Sequence, residues 1–238
     1  QAGAEVIETN TFGANAFVLG QYGLETRLEE INEKAVQLAK TSAQGHNVYV
    51  AGSVGQVYTH LLGELDLKKV YQSQIDTLVR SGVDILCLET FSNLDALKTV
   101  IKLVRSKYDI PLVALVSIEA SGLLSGDGLG GKYLSKALNH LDSDMIGFNC
   151  SVGPQAMAEF LLKYNTYLKK PVCVMPNAGE THQVAGRHIN LFTEEYFSKY
   201  VKRFSELGMK GIGGCCGIHP NDIRKAHETL RMLFPTKV

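Results

Sequence analysis

The sequence predicts an α/β fold on parallel strands, and within that class a (β/α)8 barrel of the TIM type. Three observations carry the expectation. Seven short apolar runs rich in β-branched residues alternate with longer amphipathic segments. The runs recur every 27 to 43 residues, the spacing of a strand plus its crossover helix. No linker, low-complexity tract or shift of composition interrupts them, so residues 1–238 read as a single domain. Near-continuous apolar runs of this kind mark strands buried on both faces. Strict alternation also fits an open doubly wound sheet, but seven units that begin in mid-unit favour a barrel whose first strand is missing.

Strands are expected at 4–10, 47–55, 83–91, 111–119, 144–152, 171–179 and 210–217. Between them, 28–44 places Ile31, Ala35, Leu38 and Ala39 on one helical face. Segment 67–82 does the same with Val70, Ile75, Leu78 and Val79 before Gly82 at its C-terminal cap. Segment 92–107 opens on Ser92 as N-cap, with Asp95 three residues on in the manner of a capping box. Further helices are expected at 131–142, 154–168, 194–207 and 220–233. Seven strands leave unpaired edges, and the chain does not begin with Met; the expectation is of a domain incomplete at its N-terminus.

Composition narrows the function classes. With 24 basic and 24 acidic residues the chain carries no net charge, so there is no electrostatic case for nucleic acid or an anionic membrane as partner. Mean hydropathy is near zero, no apolar run approaches the roughly 20 residues of a membrane span, and the first residues are no signal peptide. Five cysteines, an odd number without short repeated spacing, fit reduced thiols in the cytoplasm.

In either architecture chemistry sits at the C-terminal ends of the strands. There the sequence places Asn10, Ser53, Glu89, Asn149, Cys150, Asn177, Cys215 and Cys216. Cys87 and Cys173 lie inside apolar runs and read as small buried hydrophobes. Cys150 falls in "GFNCSVGP" (147–154), Cys215 and Cys216 in "GGCCG" (213–217). In a barrel those strand ends are neighbours on one rim. Adjacent side chains on a strand point to opposite faces, but Gly213, Gly214 and Gly217 let the backbone leave the strand so that both thiols turn one way. Three thiolates with an open fourth position suit Zn²⁺. Spacing alone leaves open three unrelated thiols or a vicinal disulfide.

"LCLETF", "GFNCSVGP", "PNAG" and "GGCCG" in that order, together with "AGAEVIETNTFGAN" (2–15), resemble the homocysteine S-methyltransferase family. The resemblance runs from residue 2 to about residue 225. That family includes the homocysteine-binding module of cobalamin-dependent methionine synthase and the betaine- and S-methylmethionine-dependent enzymes. The resemblance implies zinc held by Cys150, Cys215 and Cys216, homocysteine sulfur at the open position, and methyl transfer to that sulfur to form methionine. It implies that Glu89 holds the homocysteine amino group and that Asn177 approaches the metal when substrate is absent. Asn10, Ser53 and Asn149 are further rim candidates. The implied partners are homocysteine and a small-molecule methyl donor, with folate or cobalamin domains elsewhere in a full-length protein. The chain departs from the family pattern in two places: nothing corresponds to the first strand's Asp-Gly segment, and the loop after "PNAG" differs.

Other signals are weaker. "GDGLGG" (126–131) fits G-x-G-x-x-G, yet six residues separate Glu119 from Gly126, so it does not turn directly from strand to helix and reads as a loop. His182 and His188 share one loop, and His219 reads as the turn that opens the last helix rather than a ligand. The competing functions are a zinc hydrolase, disfavoured by an all-sulfur ligand set, and a non-catalytic thiol module that senses redox state.

Overall fold

Two aspartates, each at the foot of a strand, set neighbouring strands in register. The Asp84 N–H donates to the Val50 carbonyl (2.8 Å) while the Asp84 carboxylate accepts the Val50 N–H (2.7 Å). Asp144 repeats the device on Leu112 (2.9 and 2.8 Å) and adds an ion pair with Arg105 at 2.7 Å. Val50 and Leu112 are buried, so a one-residue slip would orphan a backbone amide away from water.

The computed structural model describes residues 2–57, 64–179, 181–184, 187–190 and 192–235. The chain divides into two compact units. One comprises Glu5–Leu115 with Leu141–Asp144, the other Gln1–Ala4, Val116–His140 and Met145–Val238.

In the first unit the order is β1 (Val6–Glu8), α1 (Ala16–Gly20), a 3-10 turn, α2 (Leu28–Ala43), β2 (Tyr49–Gly55), α3 (Glu64–Arg80), β3 (Ile85–Phe91), α4 (Leu94–Arg105) and β4 (Leu112–Val116). Strand β2 pairs in parallel with β1 and with β3, placing Glu8 opposite Ala51 and Gly55 opposite Glu89. Leu86, Leu88, Phe91, Leu97, Leu112 and Leu115 are fully buried, each worth about 1.5–3 kcal/mol relative to an exposed side chain. In α4 the buried positions Leu94, Leu97, Val100, Ile101 and Val104 follow the helical period.

Two sequence expectations are corrected here. Helix α2 buries Leu28, Asn32, Val36 and Ala39; of the face expected at Ile31, Ala35, Leu38 and Ala39 only Ala39 is buried. The buried stripe passes through a polar residue, tolerated because the Asn32 amide donates to the Ala14 and Leu28 carbonyls (2.7 and 2.8 Å). Helix α4 starts one residue late: Asn93, not Ser92, is the N-cap, its side chain accepting the Ala96 N–H at 2.7 Å. The end of α3 is as expected, with Gly82 in the left-handed region (φ +85°) just past Arg80.

In the second unit come α5 (Gly131–Leu138), β5 (Met145–Asn149), α6 (Pro154–Tyr164), β6 (Val172–Met175), a hairpin of β7 (Thr181–Val184) and β8 (Arg187–Asn190), α7 (Glu194–Glu206), β9 (Gly211–Ile212) and α8 (Pro220–Leu233). Strand β6 pairs in parallel with β5 and β9. Gly147 in β5 faces Cys173 in β6, and a Cβ there would stand 1.8 Å from the Cys173 carbonyl oxygen, so only glycine fits. Phe197 and Val201 of α7 pack against Ala226 of α8, with Ile223 and Leu230 at the margin. The loop expected after "PNAG" is in part an antiparallel hairpin. His182 and His188 fall on it, and their side chains lie outside the described residues. The "GDGLGG" segment is a turn closed by a bridge from Leu123 to Gly130 before α5 begins. Cys87 is buried as expected, whereas Cys173 is only partly so. No helix among the described residues is long and apolar enough to cross a membrane.

Candidate functional site

The last strand is shorter than the run that predicts it. Strand β9 ends at Ile212, and the four residues after it leave the sheet, which is what frees both cysteines from strand alternation. The Cys215 N–H donates to the Pro176 carbonyl (2.9 Å), and the Cys216 carbonyl accepts the Ala178 N–H (2.9 Å). Gly217, with φ +80°, closes the turn, and the Ile218 N–H returns to the Cys215 carbonyl (3.1 Å).

A second strand end meets the same segment. After β5, Cys150 and Ser151 both adopt left-handed backbone (φ +59° and +61°), uncommon for residues with a Cβ. The Cys150 N–H donates to Met175 (3.0 Å) and the Asn177 N–H donates to Val152 (3.0 Å). Residues 175–178, running on from β6, thus act as a spine gripped by both cysteine loops.

The result is a cluster of three thiols. The Cys150 and Cys216 sulfurs are 3.8 Å apart, those of Cys215 and Cys216 4.0 Å, and all three lie within 4.8 Å of one another. A tetrahedral zinc with sulfurs at about 2.3 Å spaces its ligands roughly 3.8 Å apart, so the cluster has the dimensions of a thiolate metal site. Donation from Cys215, helped by the Ser151 backbone, by Cys216 and least by Asn177, outweighs burial and pushes the Cys150 thiol down to about 5. The same bond pushes Cys215 up, while burial and then the Cys150 charge push Cys216 up. Thiols this close do not all ionise unless a cation joins them. The Asn177 Oδ1 is buried without a hydrogen-bond partner among the described residues. It is an unspent acceptor beside an electron-rich cluster.

In the first unit the structure joins two other predicted residues. Glu89 and Ser53 are buried, and the Ser53 Oγ donates to Glu89 Oε1 at 2.5 Å. The next residue, Thr90, is left-handed (φ +59°). The turn after it is held by Gln56, whose Oε1 accepts the Ser92 and Asn93 N–H groups (2.5 and 3.2 Å). Behind Ser53 stand Thr9 and Thr11, also buried, with their hydroxyls 2.6 Å apart. Sequence reasoning passed over Thr11 and Gln56; the available signal was the "TNT" alternation, which puts Thr9 and Thr11 on one side and Asn10 on the other. Asn10 is exposed and Asn149 fully buried. His219 is the N-cap of α8, its N–H donating to Asp222 (2.7 Å), in keeping with the reading as a turn.

Comparison with known proteins agrees with this chemistry. A family model described as homocysteine S-methyltransferase matches residues 1–230. The methionine synthases of Mycobacterium tuberculosis and Mycobacterium leprae are 32% and 30% identical over 241 residues. Each alignment covers 94% of this chain and 20% of the relative, so the chain spans about a fifth of their length. Among solved structures, the homocysteine methyltransferase MmuM from Escherichia coli in its metallated form superposes with a TM-score of 0.78 at 20% identity, covering 95% of this chain and 80% of that one. Its apo form gives 0.71 at 21% identity, covering 96% and 81%. That likeness establishes the fold: α/β of the TIM-barrel type, with seven parallel strands among the described residues.

Proposed function

This chain belongs to the homocysteine S-methyltransferase family, and from that premise we propose that it moves a methyl group to the sulfur of homocysteine to form methionine, with zinc held by Cys150, Cys215 and Cys216. The observation that carries the proposal is the convergence of three thiols from two strand ends at the mutual spacing of a tetrahedral metal site. Zinc in such a soft site favours the deprotonated form of a substrate thiol, and the thiolate is the nucleophile.

The chain's own residues supply the rest. The Glu89 carboxylate receives the substrate's ammonium group, and the Asn177 Oδ1 offers an acceptor beside the cluster. Asn10, Ser53 and Asn149 are further candidates for substrate contact. In the transfer a sulfur–carbon bond forms as the donor–methyl bond breaks, the electron pair of that bond staying on the donor; the thiol proton leaves to solvent. The site needs no separate base at the transfer step, since the proton departs before it. Residues 1–238 serve as the homocysteine-binding domain, and the methyl donor is bound by further domains of a longer protein, in line with relatives about five times the length.

The test is methionine formation by the zinc-loaded full-length protein given homocysteine with methylcobalamin, methyltetrahydrofolate or S-methylmethionine in turn. Turnover with one donor and its loss in Cys216→Ser are expected. No methionine from any donor would overturn the activity, and undiminished turnover in Cys216→Ser would overturn the role of the cluster.

A further inference from the structure

The hydroxyls around Ser53 form a closed circuit whose direction is fixed by their chemistry. Thr11 Oγ1 lies 2.7 Å from the Ser53 carbonyl, which can only accept, so the Thr11 proton is committed there. The 2.6 Å bond between the two threonines is therefore donated by Thr9. Thr9 Oγ1 in turn accepts the Ser53 N–H at 3.1 Å. The circuit starts and ends on the backbone of one residue: Ser53 N–H to Thr9, Thr9 to Thr11, Thr11 to Ser53 C=O. It takes over where the β1–β2 ladder stops at Glu8 and Ala51. A further anchor comes from α3, where the buried Gln74 donates its amide to the Thr11 carbonyl at 2.6 Å.

This leaves Ser53 a single free proton, on Oγ, and that proton is given to Glu89 Oε1. We propose that Thr9, Thr11 and Ser53 are positioning residues for Glu89: the circuit locks the Ser53 backbone, and Ser53 pins Glu89 Oε1, so that the carboxylate is oriented to receive the ammonium group of the amino-acid substrate. The proposal rests on the assignment of Glu89 to that group. It moves Ser53 from substrate contact to positioning residue, because its hydroxyl proton is already spent. A carboxylate oriented before substrate arrives loses less entropy on binding, so the circuit acts on recognition of the amino group rather than on methyl transfer.

The test compares two thiols in the full protein: homocysteine and 4-mercaptobutanoate, the same molecule without its amino group. Dissociation constants are read by calorimetry. Thr11→Val, nearly isosteric, should weaken homocysteine about tenfold and leave 4-mercaptobutanoate within twofold, while Thr11→Ser, which keeps the hydroxyl, should restore wild-type binding. Equal weakening of both thiols means that the circuit only supports the fold and overturns the proposal. Should Thr11→Val fail to fold, Ser53→Ala removes only the final bond and is read the same way. Glu89→Gln separates the two layers. If it leaves the preference for homocysteine intact, the Glu89 assignment falls; if it abolishes the preference while Thr11→Val does not, the positioning circuit alone falls.

Discussion

The Cys150 and Cys216 sulfurs stand 3.8 Å apart across 66 positions of sequence. Nothing local brings them together: both depend on residues 175–178, whose backbone binds each loop. A pair held this way is organised by the fold rather than by the ion, so the protein should fold with or without metal and take up about one zinc per chain. Cys216→Ser should lose the zinc, whereas Cys87→Ser, buried in β3, should keep it. Elemental analysis reads the metal content. Because the folded chain holds three converged thiols and the unfolded chain does not, zinc should bind the native state more tightly and raise the unfolding midpoint of wild type and not of Cys216→Ser.

The ladder beneath the cluster tolerates no side chain at Gly147. Its missing Cβ would overlap the Cys173 carbonyl, and the nearest atoms are all Cys173 backbone, which leaves nothing flexible to yield. Gly147→Ala should therefore destabilise by about 3 kcal/mol or more. Gly20→Ala is the matched control: that glycine closes α1 with open space around it, so the change should be neutral or stabilise by about 1 kcal/mol. Urea unfolding of both variants decides, and a Gly147→Ala midpoint equal to wild type would contradict the packing of β5 on β6.

These two sites mark what could be read from the sequence. Strands such as "VDILCLETF" were legible because they are apolar on both faces, whereas β1, with Val6 exposed, and the part-buried β9 were legible from the regular alternation of strand and helix instead. The convergence of the three cysteines was legible from their places at strand ends together with the family resemblance, since spacing alone left unrelated thiols or a vicinal disulfide open. The buried face of α2 was not, since Asn32 counts as polar in any periodicity although its amide is satisfied indoors. The true length of β9 was hidden for the same reason that its cysteines converge: glycines look compatible with a strand until the chain leaves it. The "TNT" alternation puts Thr9 and Thr11 on one side, but alternating threonines suit a solvent-facing strand equally, so the alternation alone does not reveal the circuit.

Asp76 gives the stability a pH dependence of known sign. Burial pushes its carboxyl up, but donation from Lys107 (2.6 Å), Tyr108 (2.5 Å) and Gln72 (2.6 Å) outweighs it and holds the group below the ordinary aspartate value. A folded-state value below the unfolded one stabilises at pH above the unfolded value, and the contribution is lost as pH falls through the folded value. Asp76→Asn should therefore lower stability by roughly 1 kcal/mol at pH 6 and by progressively less below about pH 4. Chemical denaturation at pH 6 and pH 3 measures it. A difference that stays constant between the two would show that the charge of Asp76 contributes nothing.

Tyr71 links the interior of α3 to the end of β2. Its ring is fully buried, and its hydroxyl accepts the Val57 N–H (2.6 Å) while donating to the Gly55 carbonyl (3.1 Å). Burial pushes the phenol well up, so it stays a donor at every working pH. Tyr71→Phe keeps the ring and strands a buried N–H, which should destabilise by about 1–3 kcal/mol. The consequence should reach further than stability. Gln56 sits between the two gripped residues, and its carboxamide holds the Ser92 and Asn93 amides just beyond Glu89 and the left-handed Thr90. Loosening residues 55–57 should therefore disturb Glu89 through that turn. Tyr71→Phe is expected to raise the KM for homocysteine several-fold with kcat changed little, a split that steady-state kinetics well below the unfolding midpoint would reveal. If kcat and KM both stay at wild-type values while stability drops, the Tyr71 hydroxyl serves the fold alone and Gln56 holds its turn without help.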